Sequence, residues 1–336
     1  MTNGAKPVAS DVGATWQTLD FVPPKWTAGA NRSGGISCRI LDNERAGNGG
    51  VFGRRINIPF KADYTAVYFC YAEHWHGWDG GNDEGGGGGY YKHNWLQHNN
   101  TYGGGFNVVI PGFVQYDDRK PSAAIYTVFG GNDSASPGAT NAEQPFRTWV
   151  IANRAKGLGK WDTNGWNSLE CAYVGDPVNP ARASGYQYMG LYNTPNKRAI
   201  NASIRSGSWH DGNNMRKYAD PYPLFLPGNA GHGPKLPYDR MNGMQFVGLM
   251  GSMGKHTVDR ADVYLAVGPN CMKRFFIGDA NSLAQCTTIM PCTIDSWSAG
   301  SVTIRPRRGA FTTIAGTYLY WSDLNNNISL AGQFLA

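Results

Sequence analysis

No stretch of this chain keeps the three- and four-residue apolar spacing of a helix for three full turns. Glycine and proline, 45 and 19 of them, break it instead into short runs rich in valine, isoleucine, tyrosine and tryptophan. Helix interiors disfavour both residues, whereas turns depend on them. Short β-branched and aromatic runs separated by frequent turn signals are the pattern of an all-β sandwich. A length of 336 residues suffices for one large β domain followed by a small one. An aromatic content of 13% supplies enough apolar surface for cores and argues against bulk disorder.

The stretch from Tyr64 to Ile110 concentrates the chemistry. Residues 64–76 read as a strand, with neither proline nor glycine before Gly77. Alternation puts Glu73 and Trp75 on one face and His74, His76 and Trp78 on the other. A loop with five successive glycines, Gly85 to Gly89, leads into a second strand from Tyr90 to His98. There the alternation separates Lys92, Asn94, Leu96 and His98 from His93, Trp95 and Gln97. We expect the two strands to be neighbours, presenting indoles beside imidazole, amide and ammonium groups in one open trough. A sugar ring needs that combination, because it offers C–H patches on its faces and hydroxyls at its rim.

Elsewhere, strands are expected at 35–41, 51–58 (stopped by Pro59), 105–110, 123–129, 146–152 and 165–174. A hairpin is expected across Asn193-Thr-Pro-Asn196. Residues 206–240 form a long Pro/Gly-rich loop, of a length that is usually functional. Strands follow at 241–250 and 259–267. The texture changes near residue 272, which divides the chain into domains 1–272 and 273–336. Short strands at 275–279, 302–306, 316–321 and 327–330 suit a small C-terminal sandwich.

The formal net charge of +6 is scattered apart from Lys197-Arg198 and Arg305-Pro-Arg-Arg308. A nucleic-acid reader concentrates its charge on one face, so no nucleic-acid partner is expected. Attraction to an acidic polymer fits the balance better. No apolar run approaches the ~20 residues of a membrane span. The six cysteines form no C-x-x-C pair and have no zinc-site spacing. Their wide spacing suits one to three disulfides in an oxidising compartment, with Cys286, Cys292 and Cys271 able to staple the C-terminal segment. Cys70, in mid-strand, reads as a buried thiol. The N-terminus lacks an apolar signal-peptide core. We nevertheless expect a secreted protein, its leader replaced by an initiator Met or its export by another route.

The order of these features resembles a known pattern. The aromatic strand with Lys92, then Gly165-Trp-Asn-Ser-Leu-Glu170, a hairpin, and Val258-Asp-Arg-Ala-Asp-Val-Tyr264 look like the concanavalin A-like (laminin-G-like) jelly roll of bacterial secreted polysaccharide lyases and carbohydrate-binding proteins. Residues 273–297 and 318–321 resemble the small immunoglobulin-like module that often trails such domains. The resemblance implies a jelly roll plus an immunoglobulin-like sandwich. Arg39 and the adjacent Gln97-His98 stand nearest the arginine strand and the Gln–His strand of alginate-type lyases. Glycoside hydrolases of this fold carry alternating carboxylates on one strand, since retaining hydrolysis needs two carboxyl groups ~5–5.5 Å apart. Glu170 and Glu73 each stand alone, which disfavours hydrolysis.

Carbohydrate recognition is therefore the first functional expectation. β-Elimination of an acidic polysaccharide is the second, and a non-catalytic assembly role with self-association in a surface layer, filament or virion is the third. Elimination requires a base, an acid and a group that neutralises the uronate carboxylate. His76, His93, Tyr91, Lys92, Arg39 and Gln97 are the candidates for those roles. Trp75, Trp78, Trp95, His74, His98, Tyr186 and Tyr188 are the candidate sugar contacts. His74 and His76, two apart, could share a metal ion only with a third ligand such as Asp79 or His98. No cofactor is required, but the glycine loop holds Asp79, Asp83 and Glu84, oxygen ligands suited to a structural Ca²⁺.

Overall fold

The structure is a computed structural model that describes residues 17–18, 25–27, 32, 37–44, 51–64, 66–76, 90–98, 108–109, 112–116, 124–128, 159–160, 162, 164–174, 186–201, 208–210, 215–217, 241–251, 256–324 and 327–336. In chain order the strands are β1 (Gln17–Thr18), β2 (Lys25–Thr27), β3 (Ser37–Glu44), β4 (Val51–Tyr64), β5 (Ala66–His76), β6 (Tyr90–His98), β7 (Val108–Val109), β8 (Gly112–Tyr116), β9 (Ala124–Val128), β10 (Gly159–Lys160), β11 (Trp166–Val174) and β12 (Tyr186–Asn193). They continue as β13 (Lys197–Asn201), β14 (Ser208–His210), β15 (Met215–Lys217), β16 (Met241–Gly251), β17 (His256–Val267), β18 (Arg274–Gly278), β19 (Ile289–Pro291), β20 (Thr293–Trp297), β21 (Val302–Arg305), β22 (Tyr318–Ser322) and β23 (Gln333–Phe334).

Two antiparallel sheets dominate, forming the large jelly-roll sandwich. One has eight strands in the order β1-β4-β16-β6-β8-β9-β10, with β7 on β6; the other has seven, β13-β12-β11-β5-β17-β3-β2. From β3 to β6, and again from β16 to β17, the chain changes sheet at every strand, so these strands find partners far along the chain. The first correction follows directly. β5 pairs with β11 and β17, whereas β6 pairs with β16, β7 and β8. The two aromatic strands are not neighbours, because the glycine-rich connection between them crosses from one sheet to the other.

β5 is buried on both faces. Ala66, Tyr68 and Cys70 join Ala172 of β11 and Tyr192 of β12 in a core completed by Cys271, Met272, Phe276 and Tyr320 from the C-terminal segment. Val67, Phe69, Tyr71, Glu73 and Trp75, on the opposite face, are sealed as well. That side is the sandwich interior. Burial on both faces explains why this strand reads as a nearly unbroken apolar run.

Proline does not end β4. The strand continues through Pro59 to Tyr64, and the register against β16 slips between Met241 and Gly243 at that point. An irregularity of this kind tolerates the missing N–H. The hairpin of β12 and β13 forms across residues 194–196 as expected. Asn193 Oδ1 accepts from the Asn196 backbone N–H (3.0 Å) and Nδ2 (2.7 Å), and Lys197 takes a φ of 59°. Within the expected 206–240 loop, β14 and β15 make a short hairpin. The strand expected at 146–152 lies outside the described residues.

The C-terminal segment contributes a four-stranded sheet, β19-β18-β22-β23, and the hairpin β20–β21. One face of β18 looks into the core shared with the sandwich. The other packs Ile277 with Met290, Cys292 and their partly buried neighbours Phe275, Ile304 and Leu319. Among the described residues, Cys70, Cys271, Cys286 and Cys292 are free and buried, which corrects the disulfide expectation for them. Cys271 and Cys286 serve the shared core, while Cys292 belongs to the outer one. No helix of the described residues is long and apolar enough to cross a membrane.

Candidate functional site

Trp75 is not a sugar platform. It is 2% exposed, and its indole N–H donates to Glu73 Oε1 at 2.6 Å. Glu73 also receives Arg260 Nε at 2.5 Å, with both side chains sealed from water. The Arg260 guanidinium lies 5.4 Å from the Tyr71 ring centroid. A carboxylate this deep requires a cation and further donors. The indole expected to contact sugar instead turns its polar edge to an internal ion pair.

Glu170 centres a second buried network. Its Oε2 accepts from Tyr68 (2.8 Å) and faces Arg274 Nη2 (3.4 Å), while Oε1 accepts from Tyr192 (2.7 Å). Arg274 also donates to Ser322 Oγ (2.9 Å) and to the Met272 carbonyl (3.2 Å), and its guanidinium stacks 4.4 Å from the Tyr68 ring. Burial, followed by the neighbouring carboxylate, raises the Tyr68 hydroxyl well above its ordinary range. The phenol therefore stays a donor. Gly190 faces Glu170 across the β11–β12 ladder, and a Cβ there would sit 2.9 Å from the glutamate side chain. Only glycine leaves the carboxylate room.

A third cluster runs along the same face of the seven-stranded sheet. The ladders line up Arg39, Asp259, His74 and Trp166 on β3, β17, β5 and β11. His74 and Trp166 are in ring contact at 5.5 Å. Arg32 lies 5.9 Å from the Trp166 ring and donates to Ser168 Oγ (2.8 Å) and Asp262 Oδ2 (3.1 Å). Asp262 has a φ of 57° at the irregularity in β17; aspartate tolerates that left-handed backbone better than most residues. Asp259 is fully buried. The row sets the positions of the candidates Arg39 and His74 on either side of Asp259, a buried residue.

The candidate residues therefore divide between the sheets. Arg39, His74, Trp75, His76, Tyr186 and Tyr188 belong to the seven-stranded sheet, while Tyr91, Lys92, His93, Trp95, Gln97 and His98 belong to β6 of the other. The six elimination candidates are not one set, and His98 lies in the other sheet from His74 and His76. Tyr188 sits opposite Ala172, a core residue. Trp78, Asp79, Asp83 and Glu84 lie outside the described residues. Among the described residues, no group of three or more His, Cys, Asp or Glu is placed to hold a metal ion.

What remains as a shared face centres on β6. Leu96 pairs with Met244, which pairs with Ile58; Met244 and Ile58 are buried. The next row along is Trp95, Gln245, Asn57 and Gln17, on β6, β16, β4 and β1. Strand alternation places this row on the face opposite Met244 and Ile58. Arg55, two residues from Asn57, shares that face, as do Tyr91, His93 and Gln97 along β6. Arg55, Asn57 and Gln245 were missed in the sequence because only the ladder, across nearly 190 residues of chain, brings them beside Trp95.

No protein-family model matches the chain, and no curated protein matches it. Solved structures do. The PL-14 alginate lyase from Aplysia kurodai is 9% identical, with 79% of this chain and 97% of that chain covered and a TM-score of 0.46. An endo-β-1,4-glucuronan lyase from the fungus Trichoderma reesei is 9% identical over 79% of this chain and 94% of its own, with a TM-score of 0.42. A legume lectin-like domain from Entamoeba histolytica is 10% identical over 75% of this chain and 89% of its own, with a TM-score of 0.35.

Proposed function

We propose that this protein binds an extracellular polysaccharide on the face of the eight-stranded sheet that carries Trp95, Gln245, Asn57 and Arg55. The register of β4, β16 and β6 supports this reading, since it makes Trp95, Gln245 and Asn57 cross-strand neighbours in one row. Neighbouring strands lie about 4.8 Å apart, a spacing that lets one sugar residue meet several of these groups. The indole offers a flat apolar surface, and the amides donate to and accept from hydroxyls. Arg55 adds a cation whose planar fork suits a uronate carboxylate. The reading keeps residues 1–272 as the glycan-binding jelly roll and 273–336 as a small immunoglobulin-like sandwich.

Titration of the protein with polyuronates and neutral polysaccharides tests it. Binding should weaken at least about tenfold in Trp95→Ala, equivalent to about 1.4 kcal/mol. Gln245→Ala and Asn57→Ala should each weaken it less, by about the worth of one hydrogen bond. A protein that binds no glycan, or binds as well without the indole, refutes the reading.

Elimination is the second reading, favoured by Tyr91 and His93 sharing the Trp95 face of β6. In it an imidazole or phenolate takes the C5 proton, a phenol protonates the departing O4, and Arg55 or Gln97 neutralises the carboxylate. It predicts an ultraviolet-absorbing unsaturated uronyl product. Formation of that product should be lost in His93→Ala or Tyr91→Phe while binding persists. Binding with no product in the wild type leaves recognition alone.

A further inference from the structure

Two tryptophans of the C-terminal segment are half exposed: Trp297 at 49% and Trp321 at 51%. Both neighbour Phe275. Phe275 is the cross-strand partner of Trp321, and its centroid lies 5.8 Å from that of Trp297, with the planes tilted by 49°. The three aromatic residues therefore form a short run across β20, β18 and β22. Lys273 completes the run, its Nζ 5.1 Å from the Trp297 centroid.

We infer that this run is a second polysaccharide contact, selective for an acidic chain and separate from the eight-stranded sheet. Phe275 is anchored in the outer core beside Ile277, so the platform has a fixed base. Two large aromatics left half open around one shared neighbour, Phe275, mark an interaction surface rather than ordinary exposure. Charge selects the occupant. Lys273 brings an ammonium to the ring face, where an aliphatic protein surface would strand it and a uronate carboxylate would pair with it. The carboxylates two residues from each tryptophan, Asp295 and Asp323, are already engaged. Asp295 accepts from Arg305 at 2.9 Å, and Asp323 accepts from the Asn327 backbone N–H and Nδ2. The hydroxyls of Ser298 and Ser301 in the hairpin turn add polar groups of the kind a sugar rim can use.

Affinity electrophoresis of the full chain through gels containing polygalacturonate, with dextran as the neutral control, tests the inference. The wild type should be retarded by polygalacturonate. Trp297→Ala and Trp321→Ala should each weaken retention about tenfold, and Lys273→Gln about threefold with no effect on any dextran retention. Trp297→Tyr and Trp321→Tyr guard against misfolding and should retain most binding, with the near-ultraviolet circular dichroism unchanged. Trp95→Ala reports on the sandwich face alone, so a loss confined to that variant overturns this inference while leaving the first reading intact. Wild-type mobility unaffected by polygalacturonate overturns it. So does retention unchanged in the double tryptophan variant, or a double variant that loses only self-association in sedimentation.

Discussion

Replacing Arg274 by methionine should show how firmly the C-terminal segment is bound to the sandwich. Arg274 and Glu170 are both fully buried and come from segments 104 residues apart. The substitution keeps most of the side chain's volume and removes its charge. It deletes the pair with Glu170, the hydrogen bonds to Ser322 and Met272, and the cation over Tyr68. The phenols of Tyr68 and Tyr192 still donate to the carboxylate, so part of its solvation survives. Breaking a buried pair from one side costs about 3–5 kcal/mol, because the remaining charge stays in a low-dielectric site. That is a large share of the ~5–15 kcal/mol that holds a domain together. Urea unfolding at pH 7, followed by tryptophan fluorescence, measures it. Neutralising the carboxylate as well, in Arg274→Met/Glu170→Gln, should recover about 2 kcal/mol, within the range seen for residues in contact. If the double variant is no more stable than Arg274→Met, the carboxylate was not stranded and the reasoning fails.

Two further effects follow from the same packing. Gly190→Ala should lower stability by about 1–3 kcal/mol, the usual cost of overfilling a core, because its Cβ would meet Glu170 at 2.9 Å; an unchanged thermal midpoint would contradict that contact. Burial pushes the Cys271 and Cys292 thiols from their ordinary 9.0 up to about 12. Between those limits the folded chain holds protons that the unfolded chain has released, so stability is complete below pH ~9 and falls as pH rises. At ~1.4 kcal/mol per unit for each thiol, these two should contribute about 2–3 kcal/mol to the loss seen by urea unfolding under reductant from pH 8 to pH 10. Cys70 and Cys286, also raised by burial, add to it. Equal stability at the two values would count against the burial of both thiols.

Local features of the sandwich were readable in the sequence, and its pairings were not. The face assignments of Glu73, Trp75 and His74 follow from the two-residue period and hold in the structure. The turn at Asn193-Thr-Pro-Asn196 was legible because its asparagines carry their own hydrogen-bonding chemistry. Whether β5 and β6 were neighbours could not be read, since a loop that crosses between sheets and one that closes a hairpin use the same glycines. Burial of Trp75 was hidden for the same reason. Its partner Glu73 is local, but Arg260, which makes that glutamate part of a sealed pair, lies 187 residues away. Glu170 likewise looked solitary until the fold brought Tyr68, Tyr192 and Arg274 to it. The row of Trp95, Gln245 and Asn57 has no local signature at all.

Hydrogen exchange with and without a polyuronate oligosaccharide tests the glycan-binding face most directly. Added oligosaccharide should slow exchange in β4, β6 and β16 while leaving β5, sealed on both sides, unchanged. Slowing centred on β5 and β11, or none in any strand of the eight-stranded sheet, would contradict the proposed face.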